Sequence, residues 1–290
     1  MNTAALLPAL ALIIGAGIPR VADLLRAWAI RRSGRFALAA AVVLPVAGVF
    51  AAPAGGAAAA QALWFLPYML VPLALLDRAG GGDAPPKASE WVALAAIWIP
   101  VALGWPPLGP ADDLGSALTP RLLGLAFLLV AFVAINPRAE LGFEWRLRAG
   151  GAAAALIVTG AVLILAVPVI RFGGGGIAAP EGVAEHTDWL GSAVWSVFGC
   201  ALPKEVVHRG LIFGFLQRAR ASRHGPYPAM LISAVLFAAS EAAAAPGGRG
   251  ATFVLAAWAG LWLAWSCLRT GSLCPAIAAH AALDLLRQVP

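Results

Sequence analysis

The sequence predicts an all-α protein, a polytopic transmembrane bundle of about 8–10 helices, on three observations. Of its 290 residues, 61% are apolar and only 12% are charged, whereas a soluble domain is nearer half apolar and a quarter charged. Apolar runs long enough to span a bilayer recur along the whole chain. The 32 glycines, with abundant alanine, would let such helices approach closely.

Residues 1–180 are predicted to form an N-terminal transmembrane region. Loops dense in Gly, Pro and charged residues separate its apolar runs, because these residues end helices. A basic segment at 20–35 is expected on the membrane surface. The predicted spans are 4–18, 36–52, 57–76, 91–104, 121–135 and 150–170.

Residues 189–290 are predicted to form a second transmembrane region, after a Gly-rich and acidic connection at 171–188. It opens with a long helix in which Pro203 should cause a kink, because proline has no N–H to donate and clashes with the preceding turn. The spans predicted here are 189–218, 227–241, 252–268 and 275–287.

The basic residues indicate a membrane location and exclude a nucleic-acid partner. The formal charge is +6, with 20 Lys and Arg against 14 Asp and Glu. The arginines fall mostly in alternate short loops between spans, which is how cytoplasmic loops are marked. We therefore expect a multi-pass protein of the cytoplasmic membrane, with the lipid bilayer as its first partner.

Four ionisable residues interrupt the long apolar helix: Lys204, Glu205, His208 and Arg209. Such side chains are costly at lipid depth and tend to mark functional sites. Helical spacing pairs Lys204 with His208, and Glu205 with Arg209. The second pair could equally be an architectural ion pair, because arginine keeps its proton and suits buried bidentate pairing.

Three further polar residues follow in the last third of the chain. Glu241 ends the run ISAVLFAASE, and His280 and Asp284 stand four apart in PAIAAHAALDLL, on one helical face. Residues 1–188 carry almost nothing comparable inside their spans. Any site should therefore lie in the C-terminal third.

These residues and their context resemble the CPBP family of intramembrane proteases, which includes CAAX-processing endoproteases and bacteriocin-processing or self-immunity proteins. The family motifs are EExxxR, FxxxH and HxxxN or HxxxD, each on its own helix. This chain has KEVVHRG at 204–210, FAASE at 237–241 and HAALD at 280–284. RTGSLCPAIAAH before the last motif is also similar to the family pattern, and the resemblance covers about residues 189–290.

The resemblance implies an endopeptidase, similar to type 2 CAAX prenyl proteases, that cleaves a membrane-associated protein or peptide. A glutamate of the first motif would activate water, histidines of the second and third motifs would assist, and the last Asn or Asp would help to stabilise the oxyanion. Glu205 and Arg209 match the second Glu and the Arg. His280 and Asp284 match the third motif.

Two positions depart from the family pattern. Lys204 stands at the first Glu of EExxxR, and Glu241 stands at the His of FxxxH. These positions should be neighbours if the fold is kept, so a Glu–His pair would have become a Lys–Glu pair. Glu241 could then activate water, with His280 or His208 moving the proton. The alternative is an inert Lys204–Glu241 bridge in a non-catalytic relative that binds a membrane protein or peptide.

No cofactor is predicted. Zinc on His208, His280 and Glu241, with one open position, is the alternative, although HExxH is absent. The cysteines Cys200, Cys267 and Cys274 form no CxxC pair and are expected to be small buried hydrophobes. A small-solute transporter is disfavoured because the chain shows no paired halves with broken helices.

Overall fold

The computed structural model describes residues 71, 72, 75, 87–102, 150–172, 189–220, 225–245 and 248–286, and their regular structure is entirely helical, as predicted. Six helices lie in these ranges. They are α1 (Ala88–Ala102), α2 (Gly151–Phe172), α3 (residues 189–220), α4 (Tyr227–Ala244), α5 (Arg249–Thr270) and α6 (Cys274–Leu286).

These six helices coincide with six of the predicted spans to within about three residues at either end, which confirms that these segments are helical. The predicted spans 4–18, 36–52 and 121–135, and the surface segment 20–35, lie outside the described residues. Of the span 57–76, only residues 71, 72 and 75 are described, and they are helical. The count of 8–10 helices therefore stays a prediction beyond the six.

Among the helices that the structure describes, two are long and apolar enough to cross a membrane, judged by length and composition. They are α4 and α5. The apolar stretches in α1, α2 and α6 are shorter, at Ala88–Pro100, Gly151–Ala166 and Cys274–Leu286. The helices thus fit a membrane bundle, while the multi-pass topology and the cytoplasmic membrane stay predictions.

The chain divides into two compact units, and most of α1 belongs to the first. In α1, the carboxylate of Glu90 in the first turn accepts a hydrogen bond of 2.8 Å from the Lys87 backbone N–H. This contact satisfies an N–H that the helix start leaves open, and an acid there also suits the helix dipole.

Helices α2 to α6 belong to the second compact unit, in which α3 is central. Helix α3 packs against α4, α5 and α6, and α2 packs against α5 and α6. The Trp258 indole of α5 also donates a hydrogen bond of 2.8 Å to the Ala161 carbonyl of α2. The predicted division between residues 180 and 189 stays a prediction, and α2, which precedes it, is packed on the helices that follow it.

Helix α3 changes its winding twice around Pro203. It is π-helical over Trp195–Ala201 and again over Val206–Phe213. In the first segment the Leu202 N–H bonds to the Val197 carbonyl, five residues back. This wider turn lies where the sequence predicts a kink, next to a proline ring that crowds the carbonyl four residues earlier.

All eight residues of Val206–Phe213 are buried. A helix that is enclosed on every side belongs to the interior of a bundle. The ionisable residues His208 and Arg209 are therefore held in the core of this unit and do not face lipid.

The turn between α5 and α6 is built from Thr270, Gly271 and Ser272. Gly271 has φ +65° and caps α5 with an N–H bond to the Cys267 carbonyl, a left-handed conformation that glycine adopts at no steric cost. The Ser272 hydroxyl accepts the N–H of Cys274 at the start of α6, 3.2 Å away. This turn fixes the direction in which α6 enters the bundle and so aims His280.

Candidate functional site

The site begins with a buried ion pair on α3. Arg209 Nη1 lies 3.0 Å from Glu205 Oε1, at the i, i+4 spacing that the sequence predicts. Both side chains are completely buried. Because a charge removed from water is costly unless it is paired, each of these residues depends on the other.

Two further contacts fix the Arg209 guanidinium. Its Nη2 donates to the Gly260 carbonyl of α5 at 3.3 Å, and its Cζ lies 4.3 Å from the centre of the Phe237 ring of α4. A Cβ at Gly260 would lie 2.9 Å from the Cα of Ala234, so α4 and α5 can approach this closely only with glycine there. The close approach brings the carbonyl and the ring to the same cation.

His280 of α6 meets the same carboxylate. Its Nδ1 lies 2.6 Å from Glu205 Oε1, and its Nε2 lies 3.7 Å from Asp284 Oδ2 on its own helix. His280 and Asp284 are both buried. The imidazole thus stands between two carboxylates, with the Glu205 contact short enough for a charge-assisted hydrogen bond.

Phe237 organises the two histidines. The His208 ring packs edge-on against it with centroids 5.1 Å apart, and the His280 ring does so at 5.6 Å. Both distances and angles are those of favourable T-shaped ring pairs. Phe237 therefore sets the positions of two imidazoles and a guanidinium together.

His208 is held by two serines of α4. The Ser233 hydroxyl donates to the His208 carbonyl at 2.9 Å, which provides a partner for a carbonyl in the π-helical segment. The Ser240 hydroxyl donates to the Phe237 carbonyl at 2.7 Å and also lies 3.4 Å from His208 Nε2. These serines therefore connect the π-helical segment of α3 to α4.

Lys204 and Glu241 form the second ion pair, between α3 and α4. Lys204 Nζ lies 2.7 Å from Glu241 Oε1, so the two departing positions are neighbours, as the sequence resemblance predicts. Their side chains are 31% and 17% exposed, in contrast to the fully enclosed Glu205 and Arg209. Among the described residues, this pair is the most exposed part of the site.

The structure therefore brings all seven predicted site residues into one region of the second unit. Glu205, Arg209, His280 and Asp284 form one connected network, His208 joins it through Phe237, and Lys204 with Glu241 borders it. Sequence reasoning missed Phe237, Ser233, Ser240 and Gly260 as members of the site. The Phe of the FAASE segment was the available indication for Phe237, since it stands in the FxxxH pattern.

Buried polar atoms of the site that have no hydrogen-bond partner among the described residues include Glu205 Oε2, His208 Nδ1 and Arg209 Nε. Buried polar groups are normally satisfied by protein or ordered water. These atoms are the hydrogen-bonding capacity that the network leaves for water or for polar groups of a substrate.

The zinc alternative finds no support in the geometry. In the ranges that the structure describes, no three or more His, Cys, Asp or Glu side chains converge in a way that could hold a metal ion. His208, His280 and Glu241 all lie in those ranges. The expected absence of a cofactor itself stays a prediction.

The cysteines largely follow the expectation. All three are free thiols, with Cys200 and Cys267 buried and Cys274 half-buried. Burial raises the free energy of the charged thiolate, which suits small core residues better than nucleophiles.

Residues 186–286 match the family model described as Type II CAAX prenyl endopeptidase Rce1-like. No curated protein and no solved structure matches the chain significantly. The matched region contains α3 to α6 and every residue of the site. It agrees with the CPBP resemblance that the motifs indicate and implies a membrane-embedded protease that acts on a protein or peptide. Residues 186–286 of the chain are therefore similar to the Rce1-like family of type II CAAX prenyl endopeptidases.

Proposed function

We propose that this protein is a membrane endopeptidase that cleaves a peptide bond in a membrane-associated protein, near the C-terminal anchor of that protein. The observation that supports the proposal best is the convergence of Glu205, His280 and Asp284 in one network beside the partly exposed Glu241. Carboxylate and imidazole groups held in reach of each other are what water activation and proton transfer require.

Glu241 is the proposed base that activates water. It is the most exposed carboxylate of the site, whereas Glu205 is enclosed and bonded to both Arg209 and His280. Lys204, 2.7 Å from Glu241, pairs with the carboxylate and orients it. The altered family positions thus retain a base, moved from α3 to α4.

The other site residues act on the peptide bond itself, at its carbonyl oxygen and its leaving nitrogen. His280 faces the developing oxyanion and leaving group, with Asp284 beside its ring to position it, and a preorganised donor of this kind acts strongly where water is excluded. Arg209 fixes Glu205, which in turn fixes the His280 ring. His208, on the other side of Phe237, is the second imidazole that could carry the proton.

The test is cleavage of membrane-anchored peptides by the purified full chain in nanodiscs. We expect cleavage by wild type, and a loss of about 100-fold or more in Glu241→Gln and His280→Ala, because acid–base groups contribute about that much. Arg269→Gln removes an exposed charge at the end of α5 and serves as the control. Both site variants cleaving like wild type at normal abundance would refute the site assignment.

A second function, binding without catalysis, is favoured by the Lys204–Glu241 pair itself. Lys204 and Glu241, which are 2.7 Å apart, occupy the positions where the family carries a glutamate and a histidine. The chain would then hold a membrane protein or peptide at the site without cutting it.

The double variant Lys204→Glu, Glu241→His separates the two functions, since it restores the family residues at both positions. A wild-type protein that cleaves nothing, beside a double variant that cleaves, would establish the binding function. Wild-type cleavage that the double variant does not exceed would exclude it.

A further inference from the structure

Lys204 is the most exposed of the described site residues, with 31% of its side chain accessible against 17% for its partner Glu241. It belongs to the short α-helical turn Leu202–Glu205, which lies between the two π-helical segments of α3. This turn contacts α6, and the Asp284 carboxylate on α6 is close enough to act on the charge of Lys204. The ammonium therefore lies at the edge of the network, near both α4 and α6.

The ammonium keeps hydrogen-bonding capacity for a further acceptor. A lysine side chain carries three N–H donors on a flexible four-carbon stem. The 2.7 Å contact between Lys204 Nζ and Glu241 Oε1 takes one of these donors. The others can turn toward a group that enters the site.

The second cation of the site, in contrast, is committed within the protein. Arg209 is completely buried, and its guanidinium donates to Glu205 Oε1 at 3.0 Å and to the Gly260 carbonyl at 3.3 Å. The Phe237 ring lies 4.3 Å from Arg209 Cζ. His280 is 5% exposed, and its Nδ1 lies 2.6 Å from Glu205, so a substrate can meet only its other ring nitrogen. Lys204 is thus the accessible cation among the described residues of the site.

Peptide hydrolysis creates a demand for such a cation. When water adds to a peptide carbonyl, the carbonyl oxygen becomes an anion, and one preorganised donor at this oxygen contributes about 100-fold or more to the rate. The attacking water and the carbonyl carbon must lie about 3–3.5 Å apart. A carbonyl attacked by water on Glu241 therefore has its oxygen within reach of Lys204 Nζ, which contacts the same carboxylate.

We propose that Lys204 is a catalytic residue whose ammonium binds the anionic oxygen formed during cleavage, beside the base Glu241. This inference deepens the proposed function and rests on it, since it names a donor for the oxyanion of that same site. Lys204 would share the oxyanion with His280. The family pattern has a glutamate where this chain has Lys204, so the additional donor distinguishes this chain from that pattern.

The reaction leaves the charge of Lys204 unchanged. One proton of the water moves to Glu241 as the water oxygen bonds to the carbonyl carbon, and an electron pair of the C=O bond moves to the carbonyl oxygen. Lys204 donates a hydrogen bond to this oxyanion as Glu241 becomes neutral. The C–N bond breaks as the carbonyl forms again, and the leaving nitrogen takes the proton that Glu241 accepted. One water is consumed, and a carboxyl group and an amine are formed.

Binding of an anionic tetrahedral probe tests the assignment without turnover. The probe is a membrane-anchored peptide in which a phosphinate replaces the peptide bond to be cleaved, and its methyl ester is the neutral reference. Glu241→Gln in the full chain, in nanodiscs, is the background, because a carboxylate there would repel the phosphinate. We expect this variant to bind the phosphinate about tenfold or more tightly than the ester.

The decisive change is Lys204→Met in the Glu241→Gln background. It should reduce the preference for the phosphinate about tenfold or more, whereas Lys204→Arg, which keeps a cation, should retain most of it. If Lys204 acted only by orienting Glu241, its loss would change nothing once that carboxylate is gone. A preference that survives Lys204→Met would therefore overturn the proposal. Arg269→Gln, which removes an exposed charge from α5, is the control and should keep the preference.

Cleavage kinetics give a second readout. Lys204→Met in the otherwise wild-type chain should lower kcat about 100-fold and change KM less than about threefold, because the oxyanion is absent from the bound substrate. Lys204→Arg should recover part of kcat. A raised KM at unchanged kcat would overturn the proposal, since Lys204 would then bind the substrate and not the intermediate.

The two proposals can fail separately. A protein that binds the phosphinate through Lys204 and cleaves nothing supports the assignment of Lys204 and removes the proposed function. Cleavage that Lys204→Met leaves unchanged does the reverse.

Discussion

Replacing Arg209 by methionine should destabilise the protein strongly, because it leaves the enclosed Glu205 carboxylate without its cation. The change removes the 3.0 Å contact to Glu205, the hydrogen bond to the Gly260 carbonyl and the cation over the Phe237 ring. Methionine has a similar length and is apolar, so the effect comes from the charge and not from a large cavity.

The magnitude follows from the burial. Removing one partner of a buried ion pair costs about 3–5 kcal/mol, most of it the penalty of the stranded charge. The double variant Glu205→Gln, Arg209→Met removes that charge as well, so it should be less destabilised than the two single changes added together. We expect a coupling energy of about 1–3 kcal/mol.

The assay is the free energy of unfolding of all four proteins in mixed micelles, obtained from denaturant titration. Lys204→Met is the matched comparison, because it breaks the partly exposed pair one turn away on the same helix. It should cost only about 1 kcal/mol or less, since water can hydrate Glu241. Arg209→Met within about 1 kcal/mol of wild type, with no coupling to Glu205→Gln, would refute the buried pair.

Three further predictions test the packing and the chemistry. Gly260→Ala should lower the free energy of unfolding by about 1–3 kcal/mol, because its Cβ would meet Ala234 Cα at 2.9 Å, while Gly250→Ala on the same helix meets nothing within 4 Å and should be neutral in the same titration. Phe237→Leu should reduce cleavage about tenfold or more by freeing the rings that it orients, and the exposed Phe253→Leu should leave the rate unchanged. EDTA should leave cleavage unchanged, and a loss restored by added zinc would show that a metal takes part.

The sequence predicts those parts of the structure that depend on local spacing. The apolar runs predict all six described helices, because a span must be long and apolar to be stable in lipid. The four-residue spacing predicts the Glu205–Arg209 ion pair, because both residues lie on the same helix. The Lys204–Glu241 contact was predictable from the family resemblance, which relates positions on different helices.

The central contact was not predictable in this way. His280 and Glu205 are 75 residues apart, and their 2.6 Å contact depends on how α6 packs against α3. The two π-helical segments change the direction in which the following side chains point from α3. A sequence pattern based on α-helical periodicity cannot show this change. The role of Gly260 in the close approach of α4 and α5 becomes visible only when Ala234 is known to lie opposite it. These features arise from packing between helices, which spacing along one helix does not encode.

The most direct test of the proposed activity is a cleavage reaction run in water enriched in oxygen-18, with the products analysed by mass spectrometry. If Glu241 activates a water molecule, the new C-terminal carboxyl of the product carries one heavy oxygen, and Glu241→Gln forms this product about 100-fold or more slowly at normal abundance. Labelled product formed by Glu241→Gln at the wild-type rate would contradict the account, because the water would then be activated by another group.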